Sequence, residues 1–278
     1  MNKKDKVGLS KDMKRIPLES ALTNKDSVGS KYEMPVILGY DEKDELVIDD
    51  LARMPHLLIG GCTGSGKSIF LLNIMTCLTS RISPKELQLI LIDLKMTEFA
   101  CYANEHPHLV GNVITNVDKA VAVLRELVAI MEDRKKAMSS VGALKFDAYN
   151  RKADVKLPRI VVMIDELAEL MMSSEEAGEL IALLTAQAHG VGIHFIAASQ
   201  RAASTDIIYG ALKANFQARA VFKMFDEVDS VSLIGELGAE QLSHYGEMIY
   251  RFSRLQGVRR IRVPFITEEK SLSLANRG

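Results

Sequence analysis

The sequence predicts an α/β fold in which a mostly parallel central sheet carries helices on both faces. Short apolar segments alternate with longer segments of helical period over about 220 residues, an order typical of parallel strands joined by crossover helices. The short segments LQLILI and IVVMI are largely apolar throughout, as expected for strands that are covered on both faces of the sheet. With 278 residues, 47% of them hydrophobic, the chain is long enough to bury a large core.

The segments of the first half follow one another in a regular order. In VILGYDEKDELVI a charged turn separates two apolar runs, which predicts a β-hairpin. The strand HLLIGG comes next, followed by the helix SIFLLNIMTCL and the buried strand LQLILID. Apolar residues at 117, 121, 124, 128 and 131 then have the spacing of a helix.

The second half repeats this order. The strand RIVVMID precedes the helix EEAGELIALLTAQAHG, which ends on a glycine. Three further strands are predicted in IHFIAAS, ARAVFKMF and EMIYRFS. We therefore expect one folded domain over residues 31–268, a polar, mobile N-terminal tail over residues 1–30 and a C-terminal tail over residues 269–278.

Composition and charge exclude several classes of protein. The net charge is −1, so the fold as a whole is not a basic nucleic-acid-binding surface, and any DNA contact has to come from local basic loops. The apolar runs have strand length and the N-terminus lacks an apolar segment, so neither a signal peptide nor direct membrane insertion is predicted. The three cysteines have no metal-ligand spacing and are expected to be free thiols in a reducing, cytoplasmic compartment.

The segment GCTGSGKS, residues 61–68, has the pattern G-x-x-x-x-G-K-[ST] between a predicted strand and a predicted helix. Its glycines let the backbone curl so that N–H groups point at phosphate oxygens, and the helix adds its positive N-terminal end. Lys67 is expected to reach the β- and γ-phosphates of ATP, and the Ser68 hydroxyl to bind Mg²⁺. The predicted nucleotide-binding residues are Gly61, Cys62, Thr63, Gly64, Ser65, Gly66, Lys67 and Ser68.

Two carboxylates end the apolar strand RIVVMIDE. A strand end beside the phosphate loop places Asp165 near the Mg²⁺ shell and leaves Glu166 to orient or deprotonate water. The alternative, that both acids only cap the following helix, does not explain the pair together with the loop. A protein that merely bound ATP would not need Glu166, so the pair favours hydrolysis.

Gln200 stands where the strand IHFIAAS ends, and it is a candidate to contact the γ-phosphate and report its loss. The alternative is an ordinary strand-end glutamine. Phosphoryl transfer also needs positive charge on the transition state, often from an arginine. Arg201 and Arg219 are the candidates, although either side chain could instead form a surface ion pair.

With these residues in view, the chain resembles the motor domain of the FtsK/SpoIIIE family, hexameric pumps of double-stranded DNA with a RecA-like P-loop NTPase fold. The resemblance runs from about Val36 to Phe265 and rests on ordered blocks. MPHLLIGGCTGSGKS resembles the P-loop segment, LILIDLKMTEF a strand followed by D-P-K-x-x-E, IVVMIDELAELM the Walker B strand and GIHFIAASQR the sensor strand, and LKANFQAR and GAEQL complete the series.

The sequence departs from the family pattern at three places. Family members carry Arg-Ala where this chain has His189-Gly190, and proline is replaced by Leu94 and by Ala202. If the missing arginine is the one that acts on a neighbouring subunit's site, its role falls to another residue or catalysis is slow.

The resemblance implies a homo-oligomeric ring, expected to be a hexamer, that binds Mg·ATP between subunits and moves double-stranded DNA in segregation, transfer or packaging. Family members have membrane helices upstream and a DNA-reading module downstream of the region that this chain resembles. A separate partner protein is therefore expected to anchor or load this motor, which would suit the motor of a mobile element. Two alternatives stay open: a protein-secretion ATPase of the type VII kind, and a non-motor ATP-binding assembly protein.

The segment RFSRLQGVRRIR, residues 251–262, holds five arginines and no acidic residue. In a ring motor such side chains could line the DNA channel or a subunit interface. The alternation of Arg260 and Arg262 around Ile261 is equally typical of strands with solvated outward arginines.

Overall fold

The computed structural model describes residues 16–24, 32–102, 106–200, 207–252 and 257–275. These residues form one sheet with the strand order β2-β1-β9-β8-β7-β3-β6-β5-β4. The strands are β1 Pro35–Tyr40, β2 Leu46–Asp50, β3 His56–Gly60, β4 Leu87–Ile92, β5 Arg159–Ile164, β6 Ile193–Ser199, β7 Ala218–Phe222, β8 Glu247–Phe252 and β9 Arg259–Arg262.

Helices connect most of the parallel strands. They are α1 Leu18–Leu22, α2 Lys67–Thr79, α3 Val117–Ser140, α4 Phe146–Lys152, α5 Leu167–Ser173, α6 Glu175–Gln187, α7 Ile207–Asn215, α8 Glu227–Ile234 and α9 Glu268–Ala275. Within the described ranges, none of them combines the length and the apolar character that crossing a membrane requires.

The sheet has a parallel half and an antiparallel half. Strands β7, β3, β6, β5 and β4 pair in parallel, whereas β8, β9, β1 and β2 extend the sheet from β7 through antiparallel pairings. The predicted α/β class and the β1–β2 hairpin are confirmed, and the predicted parallel arrangement describes the half around β3. The remaining half is antiparallel in part because the connections at 41–45 and 253–258 are too short for a crossover helix.

An apolar layer covers each face of the sheet. In β3, Leu57 and Ile59 pack into the same layer as Phe70 of α2, whereas Leu58 packs into the opposite layer with Leu124 of α3. Successive strand residues point to opposite faces, so this alternation confirms helices on both faces. Helix α2 is buried along nearly its whole length. Cys62 and Cys77 are free thiols, and both are buried.

The N-terminal boundary of the folded body differs from the prediction. Residues 16–24 fall within the predicted tail of 1–30, yet Leu18 and Ala21 are fully buried, and the Leu18 N–H donates to the Phe265 carbonyl at 3.0 Å. Helix α9 likewise begins at Glu268 and buries Ser271, inside the predicted C-terminal tail. Both segments are too short to display a period, and their burial depends on the distant surfaces that they cover.

His56 begins β3 as a buried, neutral imidazole. Its Nδ1 accepts the N–H of Phe195 at 2.9 Å, and its Nε2 lies 2.9 Å from the carbonyl oxygen of Thr185, to which it donates. A proton on Nδ1 would abolish the first of these bonds. Burial, with a contribution from His189, lowers the pKa of His56 to about 3.

Acid should therefore destabilise the fold through His56. The pKa of His56 is 6.5 in the unfolded chain and about 3 in the folded chain, so between these pH values only the unfolded chain binds the proton. The contribution of His56 to stability is therefore complete above pH 6.5 and is lost as the pH falls toward 3. The free energy of unfolding should fall by roughly 1 kcal/mol per pH unit from this side chain. Urea unfolding at several pH values measures the slope.

The matched variants are His56→Asn, whose amide oxygen can still accept the Phe195 N–H, and His244→Asn, at an exposed position. We expect a shallower pH dependence for His56→Asn and an unchanged one for His244→Asn. Equal slopes for His56→Asn and the wild type would show that His56 is not responsible.

Candidate nucleotide-binding site

The glycine-rich loop connects β3 to α2 at the carboxyl edge of the parallel strands. The N–H of Gly61 donates to the carbonyl of Ser199, at the end of β6, over 3.3 Å. The N–H of Cys62 donates to the carbonyl of Lys223, just after β7, over 2.8 Å. Both neighbours of β3 thus hold the loop in place, because β3 lies between them in the sheet.

Gly66 is needed at the end of this loop for two reasons. Its φ is +115°, in the region that disfavours residues with a Cβ, and it precedes the first residue of α2. A Cβ at this position would lie 2.9 Å from the Cα of Gly246, so a side chain would push the two backbones apart. The N–H of Gly246 also donates to the carbonyl of Ser65 over 3.3 Å, which attaches the segment before β8 to the loop.

Lys67 lies inside the curl of the loop. Its side chain is buried, and Nζ donates to the carbonyl oxygens of Gly61 at 2.6 Å and Cys62 at 3.1 Å. Burial lowers the pKa of Lys67, and the carboxylates of Glu166 and Glu98 oppose this shift. The positive charge of the ammonium group therefore lies where the N–H groups of the loop would bind phosphate.

A group of carboxylates surrounds Asp165 at the end of β5. Burial first, and then the nearby carboxylates of Glu98, Asp93 and Glu166, raise the pKa of Asp165 to about 7, although Lys67 opposes this shift. Asp93 is buried and accepts the backbone N–H groups of Glu98 and Phe99 at 2.9 and 3.0 Å. This concentration of negative charge favours a cation beside Asp165.

The donor set fits Mg²⁺ when phosphate supplies the remaining ligands. Ser68 is exposed in the first turn of α2, and Asp165 is half-buried. Among the described residues no cluster of three or more His, Cys, Asp or Glu could hold a metal by itself. Mg²⁺ in nucleotide sites usually takes one or two protein ligands together with water and phosphate oxygens, so a sparse protein set is what such a site requires.

Glu166, Gln200 and Thr63 are joined by hydrogen bonds. Glu166 accepts the N–H of Gln200 at Oε2 over 3.0 Å, and Gln200 Oε1 accepts the Thr63 hydroxyl over 3.0 Å. The Ser199 hydroxyl donates to Glu166 Oε1 over 2.9 Å. The ends of β5 and β6 are thereby connected to the phosphate loop.

The structure thus brings together Lys67, Ser68, Asp165, Glu166 and Gln200 at one edge of the sheet, as their positions after successive strands predicted. Ser199 was missed in the sequence, although a hydroxyl ending an apolar strand one residue before Gln200 was a usable signal.

The arginine candidates have different outcomes. Arg219 lies in β7, and its guanidinium donates to the carbonyls of Lys213, Phe216 and Leu233 at 2.9, 3.2 and 2.9 Å. These bonds give it a structural role within its own chain, and its catalytic role stays a prediction. Arg201 lies outside the described residues. His189 precedes β6, at the opposite end of that strand from Gln200, and its Nε2 is 3.2 Å from the Ala52 carbonyl.

The described arginines of the 251–262 segment are largely engaged within the chain. Arg251 donates to the Ile234 carbonyl at 2.6 Å, Arg260 forms an ion pair with Glu247 at 2.6 Å, and Arg262 forms one with Asp44. Arg259 is exposed in β9. These contacts favour the interpretation of paired strands over that of a DNA-contacting segment.

Comparison with known proteins is consistent with this geometry. A model described as the FtsK/SpoIIIE family matches residues 18–156 and 151–204. The chain is 38% identical over 273 residues to the DNA translocase FtsK of Campylobacter jejuni, covering 95% of this chain and 29% of that protein. It is 34% identical over 289 residues to the DNA translocase FtsK of Haemophilus influenzae, covering 94% of this chain and 54% of that protein. The chain thus spans less than two thirds of either relative.

Solved structures share the fold. The cytoplasmic domain of the type VII secretion ATPase EccC of Thermomonospora curvata superimposes with a TM-score of 0.80 at 21% identity, over 95% of this chain and 34% of that one. The pCW3 conjugation coupling protein TcpA, solved with ATPγS, gives 0.76 at 24% identity, over 95% and 74% of the two chains. At this identity the likeness concerns the fold alone, and it confirms the predicted RecA-like P-loop architecture.

Proposed function

The chain belongs to the FtsK/SpoIIIE family, and from this membership we propose that it is an ATP-driven ring motor that moves double-stranded DNA. Relatives at 34% and 38% identity are DNA translocases, which supports DNA as the cargo. The observation that carries hydrolysis is the hydrogen-bonded connection from Glu166 through Gln200 to Thr63 of the phosphate loop. It joins a carboxylate that can act on water to the loop that would hold the phosphates.

The proposed chemistry assigns one task to each side chain. The loop N–H groups and Lys67 bind the β- and γ-phosphates, and Ser68 and Asp165 hold Mg²⁺, which would neutralise charge on the phosphate oxygens. Glu166 orients the attacking water and accepts its proton. Gln200 bonds to both Glu166 and Thr63. Loss of the terminal phosphate would therefore change the positions of side chains at the ends of β5 and β6 and in the loop together.

A ring, proposed to be a hexamer, would let a neighbouring subunit supply the arginine, with Arg201 and Arg219 as the candidates. The motor would act on cytoplasmic DNA with an anchoring or loading partner. Protein secretion of the type VII kind is the second candidate, but its support is the fold likeness to EccC at 21% identity. A non-motor ATP-binding protein is less favoured, because it would not need the positioned Glu166.

The test is the ATPase rate of the chain with and without linear duplex DNA, at low and high salt. We expect duplex DNA to stimulate the ATPase rate and this stimulation to weaken between about 50 mM and about 200 mM salt. Binding to DNA phosphates releases counterions, so added salt weakens the binding. Short double-stranded oligonucleotides, too short to span a ring, are the matched control and should stimulate less. Turnover that is indifferent to DNA at every salt concentration would contradict the DNA-motor proposal and favour a protein cargo.

A further inference from the structure

Two exposed aromatic side chains belong to segments that bond to the phosphate loop. Phe225 and Tyr245 expose 77% and 73% of their surface, and they are the exposed aromatic residues among those whose side chains the structure describes. The other described Phe and Tyr side chains are buried or half-buried. Scattered apolar residues on a surface are ordinary, but two exposed rings at one edge of a ligand site suggest that a ligand covers them.

The strand register brings these two residues to the same end of the sheet. In the antiparallel β7–β8 pair, Phe222 is opposite Met248. Phe225 follows Phe222 by three residues and Tyr245 precedes Met248 by three, so both leave their strands at one end. Lys223 and Gly246 in the same segments bond to Cys62 and Ser65 of the phosphate loop at 2.8 and 3.3 Å.

The direction of a bound nucleotide follows from the same contacts. Glu166 and Gln200, which would act at the terminal phosphate, lie on the β5–β6 side of the loop. The β7–β8 segments hold the loop from its opposite side. With the terminal phosphate toward β6, the nucleoside end of the ligand leaves the loop toward β7 and β8, where the exposed rings stand.

We propose that Tyr245, with Phe225 as a second wall, forms the subsite for the purine base of the nucleotide. This inference rests on the proposed function, because it concerns the ligand of the same loop. An aromatic ring stacks on a base without hydrogen bonds, and such stacking is lost when the ring is replaced by alanine. The subsite would add affinity for the base that is independent of the phosphate contacts.

The experiment separates base from phosphate by calorimetric titration of the 278-residue chain with ADP and with inorganic pyrophosphate. We expect Tyr245→Ala to weaken ADP binding by about tenfold or more and to leave pyrophosphate binding unchanged. Tyr245→Phe should retain ADP affinity, because the ring rather than the hydroxyl makes the contact. Adding Phe225→Ala to Tyr245→Ala should weaken ADP binding further.

Leu237→Ala is the matched control, since Leu237 is an apolar residue that is 55% exposed in the turn after α8, outside the two segments that contact the loop. It should leave the binding of both ligands unchanged. Equal ADP affinity for Tyr245→Ala and the wild type would overturn the subsite, and weaker self-association in its place would assign the rings to a contact between copies of the chain. A wild-type chain that binds neither ligand would overturn the proposed function itself, and the subsite with it.

Discussion

Replacement of Lys67 by alanine should lower ATP turnover by about a thousandfold or more, because the variant loses the only ammonium group inside the loop among the described residues. In the structure Nζ bonds to two carbonyls of the loop, at Gly61 and Cys62, so these bonds hold the charge inside the loop. Steady-state phosphate release and ADP titration together measure the loss.

The variant should still fold. The Lys67 side chain is buried, and burial disfavours its charged form. Replacement by alanine therefore removes the desolvation cost of a buried charge from the folded state. Lys135→Ala is the matched control, because Lys135 forms a surface pair with Glu132 at 2.7 Å and should leave turnover within about twofold. Retention of a tenth or more of the wild-type rate in Lys67→Ala would contradict the assigned role.

Glu166→Gln should leave ATP bound but unhydrolysed, with the rate of the chemical step lowered by about 100- to 10 000-fold. The amide keeps the size of the carboxylate and can still accept the Ser199 hydroxyl, but it cannot take a proton from water. If the amide oxygen of the variant faces Ser199, its NH₂ group faces the N–H of Gln200. Two donors cannot form a hydrogen bond with each other, so the connection to Gln200 is weakened.

Single-turnover hydrolysis and the nucleotide that remains bound after gel filtration measure this trap. Glu169→Gln is the control, three residues further on, where the carboxylate pairs with Lys95 at 2.8 Å. Hydrolysis by Glu166→Gln at the wild-type rate would assign the general base to another residue, whereas loss of both binding and hydrolysis would mean that Glu166 supports the loop and does not act on water.

The candidate site was predictable because its signals are local. Glycine spacing with a following lysine and serine defines the loop over eight residues. Asp165 and Gln200 each stand directly after an apolar strand, and Glu166 follows Asp165. Parallel strands bring their carboxyl ends to one edge, so residues at those ends meet even when they are far apart in sequence. Arg219 shows where this reasoning stops, since its three carbonyl partners come from α7, the turn before β7 and α8.

By itself, the sequence determined the α/β class, the order of strands and helices and the place of the phosphate loop, because period and glycine spacing are properties of neighbouring residues. Only the tertiary structure decided that half of the sheet is antiparallel, that residues 16–24 belong to the body, and that Ser199 bonds to Glu166 across 33 positions. It also placed Gly246 against the loop. These features depend on which distant surfaces the folded chain brings into contact, and no local pattern encodes such contacts.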